Sequence, residues 1–178
     1  FLYLHGFASG PGSVKGVATA RHYEARGIAV ERLDLRRPSF EHLRVSAMLA
    51  HVREAIGGPQ DRAVLFGSSL GGYVASRVAE DDARVCALVL LAPAFRLFER
   101  WRERLGEEGW RAWEQTGWYE VDDHAEKKRS RIDFEFVREA RALDERGNGS
   151  PDVRVPTLIV HGTRDDTVDV AVSRAFAA

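Results

Sequence analysis

Ala63-Val64-Leu65-Phe66-Gly67-Ser68-Ser69-Leu70-Gly71-Gly72 is the stretch on which the reading of this chain turns. Four apolar residues form a buried strand, Gly67-Ser68-Ser69-Leu70-Gly71 satisfies G-x-S-x-G, and Gly72 to Glu80 can make a helix. A serine held on a sharp strand-to-helix turn needs neighbours without bulky side chains, because its backbone is strained there. The helix N-terminus below it favours developing negative charge. The frame selects Ser69 as the nucleophile and leaves Ser68 at the variable position. The competing reading, a nucleotide-binding turn, requires Gly-Lys-Ser/Thr or G-x-G-x-x-G, and neither is present in this stretch.

Outward from that turn, short apolar runs alternate with glycine turns and amphipathic stretches, the rhythm of βα units around a parallel sheet. Strands are predicted at Phe1–Leu4, Ile28–Leu33, Ala63–Phe66, Ala87–Leu91 and Thr157–Val160. Helices are predicted from about Ser13 to Arg26 and from Phe40 to Ile56. In the second, Val45, Met48, Leu49, Val52 and Ile56 make one apolar stripe, and Gly57-Gly58-Pro59 ends it. The interval from Arg96 to about Asp133 is charged and aromatic, shows no strand pattern, and reads as a lid insertion into a single domain spanning 1–178. The fold class is therefore α/β: a mostly parallel sheet with helices on both faces. The chain opens inside a strand pattern at Phe1 and closes inside a helix pattern at Ala178, so truncation at both ends is expected.

Two further turns complete the chemistry. Leu4-His5-Gly6-Phe7 follows the first strand. A tetrahedral acyl intermediate needs two backbone N–H donors, one from the residue after the nucleophile and one from an earlier turn; Leu70 and Phe7 fit. His5 precedes the nucleophile in the chain, and its expected role is to hold the glycine turn rather than to act as base. Leu158-Ile159-Val160-His161-Gly162-Thr163-Arg164-Asp165-Asp166 brings carboxylates to the C-terminal end of a strand, on the side where Ser69 emerges. One can orient a catalytic imidazole while the other caps the next helix; catalysis is assigned to Asp165 and capping to Asp166. No histidine follows Asp165, so the catalytic histidine is expected beyond residue 178, after one more helix and strand.

Together, His5-Gly6-Phe7, Gly67-Ser68-Ser69-Leu70-Gly71-Gly72 and His161-Gly162-x-x-Asp165-x-x-Val168 resemble the α/β-hydrolase superfamily of serine esterases. The opening stretch, with Ser9, Pro11, Ser13 and Lys15, is similar to small bacterial esterases. The stretch Trp110 to Asp169 is similar to the mitochondrial depalmitoylases and acyl-glucuronide hydrolases. The resemblance implies Asp165 as the acid, Phe7 and Leu70 as oxyanion donors, and ester or thioester hydrolysis through an acyl-enzyme. Asp169 departs from the proline common in such relatives.

Composition bounds the alternatives. A net charge of −1 favours neither nucleic acid nor an anionic membrane. The longest apolar run, Val85 to Phe95, is too short to span a bilayer. The lone Cys86 rules out an intramolecular disulfide and suits a reducing, cytoplasmic setting. No metal and no organic cofactor is required. Asp122-Asp123-His124 has no second cluster to complete a metal site, and His22, His42, His51 and His124 read as surface or helix-edge residues. All four tryptophans, Trp101, Trp110, Trp113 and Trp118, fall in or beside the insertion. Trp110 and Trp113 are the expected binders of a hydrophobic acyl group. The expected partner is a small-molecule or acylated substrate; the sequence leaves the oligomeric state open. Rival readings are a peptidase or other amide hydrolase on the same scaffold, and a non-catalytic binding protein.

Overall fold

In the computed structural model, which describes residues 1–146 and 150–178, all five expected strands join one parallel sheet. They are β1 (Leu2–Leu4), β2 (Glu31–Leu33), β3 (Ala63–Ser68), β4 (Val85–Leu91) and, after an excursion, β7 (Thr157–Val160), in the order β2-β1-β3-β4-β7. Helices α1 (Val14–Glu24), α2 (Val45–Ile56) and α3 (Leu70–Asp81) connect the first four strands. Side chains alternate across the sheet. Tyr3 and Phe66 pack with Ala20 of α1 on one face. Leu2, Leu4 and Leu65 join Met48, Val52 and Val74 of α2 and α3 on the other. Helices therefore cover both faces, as the apolar density of the strands requires. Helix α3 is the most enclosed: every residue from Leu70 to Ala79 is buried.

Several boundaries shift by a few residues from the sequence reading, as where β3 runs on to Ser68 and β4 starts at Val85, and two shifts have a clear local reason. Helix α2 starts only at Val45, where the apolar stripe starts. Arg44 before it is extended (φ −133°, ψ 125°), and Phe40 and Leu43 are buried in the core from the loop. Strand β2 starts at Glu31 rather than Ile28 because three-residue β1 offers partners only from Leu2↔Glu31 to Leu4↔Leu33.

The interval after β4 corrects the expectation of a strandless insertion. It contains α4 (Leu97–Thr116), then an antiparallel hairpin of β5 (Trp118–Asp123) and β6 (Lys128–Asp133), then α5 (Glu135–Arg146). Its strands carry little apolar alternation. Their register instead sets Glu120 opposite Arg131 and Asp122 opposite Arg129, and opposite charges facing across strands stabilise such a pair. Gly106 (φ 68°, ψ 171°) breaks α4 into two helical pieces. Helix α6 (Val170–Ala177) follows β7, and Asp169 rather than Asp166 caps it, accepting from Ala171 N–H at 2.8 Å. Among the described residues Asp166 accepts only from the Thr167 hydroxyl, at 3.2 Å.

The hairpin is tied to the loop after β2 at both ends. The Asp133 carboxylate takes two 2.7 Å bonds from the Arg44 guanidinium and a third, also 2.7 Å, from His42 Nδ1. At the tip, Arg36 Nη2 donates to Asp123 Oδ2 at 2.5 Å.

Candidate active site

The sheet register aligns the strand ends that matter: Leu4 pairs with Gly67, Ser68 with Leu91, and Leu91 with Val160. The turns carrying His5-Gly6-Phe7, Ser69 and Asp165 therefore leave the same edge of the sheet. Strand β3 lies on the opposite side of β1 from β2, so Ser69 sits where the strand order reverses, the place where open α/β sheets form their crevice.

Ser69 has φ 52° and ψ −116°, a left-handed φ that L residues rarely adopt. Its carbonyl accepts from Gly72, Tyr73 and Ala94 N–H, and its own N–H donates to Leu91 O at 3.0 Å. Close packing makes the glycines obligatory: a Cβ on Gly71 would lie 2.2 Å from Leu4 O, and one on Gly67 2.5 Å from Gly71 O. Ser68 ends β3 and is 5% exposed, whereas Ser69 opens into a cavity of about 440 Å³. The two serines differ in access as well as in frame.

The turn after β1 lies against this serine. A Cβ built on Gly6 would be 3.3 Å from Ser69 Cβ and 3.9 Å from Ser69 Oγ. His5 is 3% exposed; its Nε2 accepts from Leu35 N–H at 3.0 Å and its Nδ1 lies 2.8 Å from Gly6 O. An accepting Nε2 places the proton on Nδ1, which donates to Gly6 O. Burial lowers its pKa, partly offset by that carbonyl. His5 is thus a neutral brace of the turn, as its place in the chain indicated.

On the other side, Asp165 Oδ1 accepts from Thr167 and Val168 N–H, both at 2.9 Å. The Val168 bond, opposed by burial and reinforced by Thr167, holds the carboxyl below the ordinary aspartate range. Oδ2 makes no such turn bond and stands 3.9 Å from His161 Nε2. His161 has both nitrogens engaged elsewhere, Nε2 with Val168 O at 2.8 Å and Nδ1 with Ser173 Oγ at 2.7 Å. It secures the Asp165 turn.

The cavity joins these pieces. Phe7, Ser69 and Thr167 line it, with Leu97, Trp101, Leu105 and Tyr119 forming an apolar wall. Arg104, Glu120, Asp122, His124 and Arg129 ring its mouth, where Arg129 pairs with both Glu120 and Asp122. Trp110 and Trp113 do not line it. They lie behind, 5% and 1% exposed, with Trp113 against Trp101 and Tyr119 (ring centroids 5.6 and 5.2 Å apart). The sequence reading expected Trp110 and Trp113 at the acyl site; of that aromatic cluster it is Trp101 that lines the cavity, and His124, expected on the surface, is exposed and lines it too. A larger hollow of about 780 Å³ runs between β7, α6 and Pro151–Val155, and contains none of the Ser69 turn. Among the described residues, no three His, Cys, Asp or Glu side chains converge as a metal site would need, and no helix is long and apolar enough to cross a membrane.

The model of an uncharacterised protein family, UPF0227, matches residues 1–178. No curated protein matches the sequence. Solved structures do. The mouse alpha/beta hydrolase domain-containing protein 10 superposes with a TM-score of 0.76 at 22% identity, over 99% of this chain and 73% of that one. Est1E from Butyrivibrio proteoclasticus gives 0.70 at 25% identity, over 98% and 71%. A monoacylglycerol lipase from Paleococcus ferrophilus gives 0.74 at 18%, over 98% and 77%. The fold is that of the α/β hydrolases.

Proposed function

The chain belongs to the uncharacterised protein family UPF0227 and has the α/β-hydrolase fold, and from that premise we propose that it is a serine hydrolase of carboxylic esters or thioesters with a hydrophobic acyl group. The observation that carries the proposal is Ser69 itself, at φ 52° on the β3–α3 turn, opening into a cavity whose apolar wall can hold an acyl chain.

The reaction is two-step acyl transfer to water. Ser69 Oγ attacks the substrate carbonyl as its proton passes to a histidine, and a tetrahedral oxyanion forms on the former carbonyl oxygen. The Phe7 and Leu70 N–H groups hold that oxyanion. Collapse breaks the bond to the alcohol or thiol, which leaves with the proton, and the acyl group stays on Ser69. Water then attacks with the same base, releasing the acid and restoring the serine. Asp165, ionised and with Oδ2 uncommitted to its turn, orients the histidine, which we assign to sequence beyond residue 178. Residues 96–133 act as the lid that shapes the acyl pocket. None of these steps calls on a metal or organic cofactor.

The test is labelling of the full-length protein by a fluorophosphonate, with peptide mapping and ester turnover. Wild type and Ser68→Ala should label at Ser69 and hydrolyse p-nitrophenyl butyrate, while Ser69→Ala should do neither, losing several orders of magnitude in kcat. Undiminished turnover by purified Ser69→Ala defeats the assignment. Matched amide substrates turned over as fast as esters would favour a peptidase.

A further inference from the structure

We propose that Asp123 is a positioning residue for the oxyanion turn: it shapes the tip of the β5–β6 hairpin so that the tip grips the Ala8 carbonyl and keeps the Phe7 N–H beside Ser69. The inference rests on the reading of Phe7 as an oxyanion donor.

The turn to be held is Gly6-Phe7-Ala8-Ser9. Ser9 N–H donates to Gly6 O at 3.3 Å, closing a four-residue turn with Ala8 third in it, at φ 55°. That position in such a turn ordinarily calls for glycine, because a Cβ disfavours positive φ. The arrangement leaves the Phe7 N–H, second in the turn, outside the closing bond and free for a substrate oxygen. An alanine at φ 55° persists only where its surroundings over-determine it, and Ala8 is 5% exposed. On the Gly6 side the His5 ring supplies one support, described above. On the Ala8 side the supports come from the excursion: His124 N–H donates to Ala8 O at 2.9 Å and Ala125 N–H at 3.2 Å.

Asp123 makes that grip. Its side chain is fully buried. Oδ1 accepts from Ala125 N–H at 3.1 Å and Glu126 N–H at 3.2 Å, which curls the chain after β5 so that two successive N–H groups meet Ala8 O. Oδ2 takes the Arg36 bond, anchoring the curled tip to the loop after β2. A buried carboxylate is retained only where its lone pairs are met, and here the groups meeting them are those that fix the tip. Through this contact the hairpin shapes the catalytic machinery as well as the cavity mouth.

The experiment compares steady-state turnover of p-nitrophenyl butyrate with inhibition by an aryl trifluoromethyl ketone, which becomes an oxyanion on the attacked serine. Losing one oxyanion donor outright costs about 100–1,000-fold in kcat; a misplaced donor should cost about 10–100-fold. Asp123→Ala is expected to lose that much kcat per folded molecule with KM nearly unchanged, and to weaken the ketone by the same factor. Asp123→Asn, which keeps an accepting oxygen, should recover most of the loss. Adding Ala8→Gly to Asp123→Ala should also restore part of kcat, because glycine holds the turn without support; this coupling is one that a merely destabilising change would not show. Should Asp123→Ala not fold, Arg36→Gln, which unties the tip but leaves its own bonds, is expected to give a smaller loss of the same kind. Kcat and ketone affinity within twofold of wild type in the folded variants, or a loss that Ala8→Gly leaves untouched, would overturn the proposal. Failure of the Ser69 reading shows separately, as a wild-type protein that does not bind the ketone at all.

Discussion

Gly6 and Ser69 meet back to back, so closely that the methyl group Gly6 lacks would stand 3.3 Å from the Cβ of the serine. That separation is tighter than comfortable carbon–carbon contact, about 3.5–4.0 Å, and the backbone behind Gly6 is pinned by the His5 ring. Gly6→Ala should therefore displace the turn or rotate Ser69 instead of being absorbed. A misplacement of that size is expected to lower kcat about 10–100-fold with a small change in melting temperature. Steady-state kinetics beside a thermal melt checks this; an unchanged kcat would mean the two turns move independently.

Asp165 should govern rate without setting the pH profile. Its carboxyl lies below the ordinary aspartate value, held chiefly by the Val168 N–H, so it is ionised throughout the range in which an imidazole titrates. The acid limb of kcat/KM should then follow a single group with a pKa of roughly 6–7, the histidine. Asp165→Asn should lower kcat by about 1,000–10,000-fold. A second ionisation near pH 4–5 in the wild-type profile that disappears in Asp165→Asn would contradict this reading.

Chain-length preference should reside in Trp101. Each methylene buried against the wall it forms with Leu97, Leu105 and Tyr119 is worth about 0.8 kcal/mol, or roughly fourfold in kcat/KM. The p-nitrophenyl ester series should rise from acetate to a medium-chain acyl group, and Trp101→Ala should flatten the rise. Trp113→Ala should instead appear first as lost stability, about 3–5 kcal/mol for a large aromatic removed from a core. A series that falls steadily from acetate would refute the acyl pocket.

The Asp133 clamp should make stability depend on pH at the acid end. Burial alone would raise the Asp133 pKa, but the bonds from Arg44 and His42 outweigh it and leave the group below its usual 3.8. A carboxylate depressed in the folded state stabilises fully above its unfolded pKa and loses that contribution as pH falls through the folded value. Asp133→Asn should thus be less stable than wild type at pH 7, by about 1–3 kcal/mol, and the gap should close below about pH 4. Denaturant melts at pH 7 and pH 3 decide it; a gap that is constant with pH would remove the charge from the argument.

What was legible in the sequence was what is local. The strand before Ser69 and the glycines around it are consecutive residues, and the strained turn they build follows from spacing alone. The hairpin escaped because its strands are written in charge: Val121 and Ile132 are buried, while their register sets Asp122 against Arg129, a pattern visible only once the partner strand is known. Trp101 could not be separated from Trp110 and Trp113, since Gly106 resets the helical phase between them. Capping by Asp169 rather than Asp166 depends on where α6 begins, and boundaries of short helices shift with tertiary contact.

The break at Gly106 also divides the labour of α4. Leu97, Trp101, Arg104 and Leu105, all before it, face the cavity, whereas Trp110 and Trp113, after it, are built into the core. The two pieces do not share one continuous rod, and what couples them is side-chain packing, Trp101 against Trp113 with ring centroids 5.6 Å apart. Within residues 97–105 the parts therefore separate: Leu97, Arg104 and Leu105 can be exchanged to reshape the cavity, whereas Phe98 and Trp101 also hold the core together.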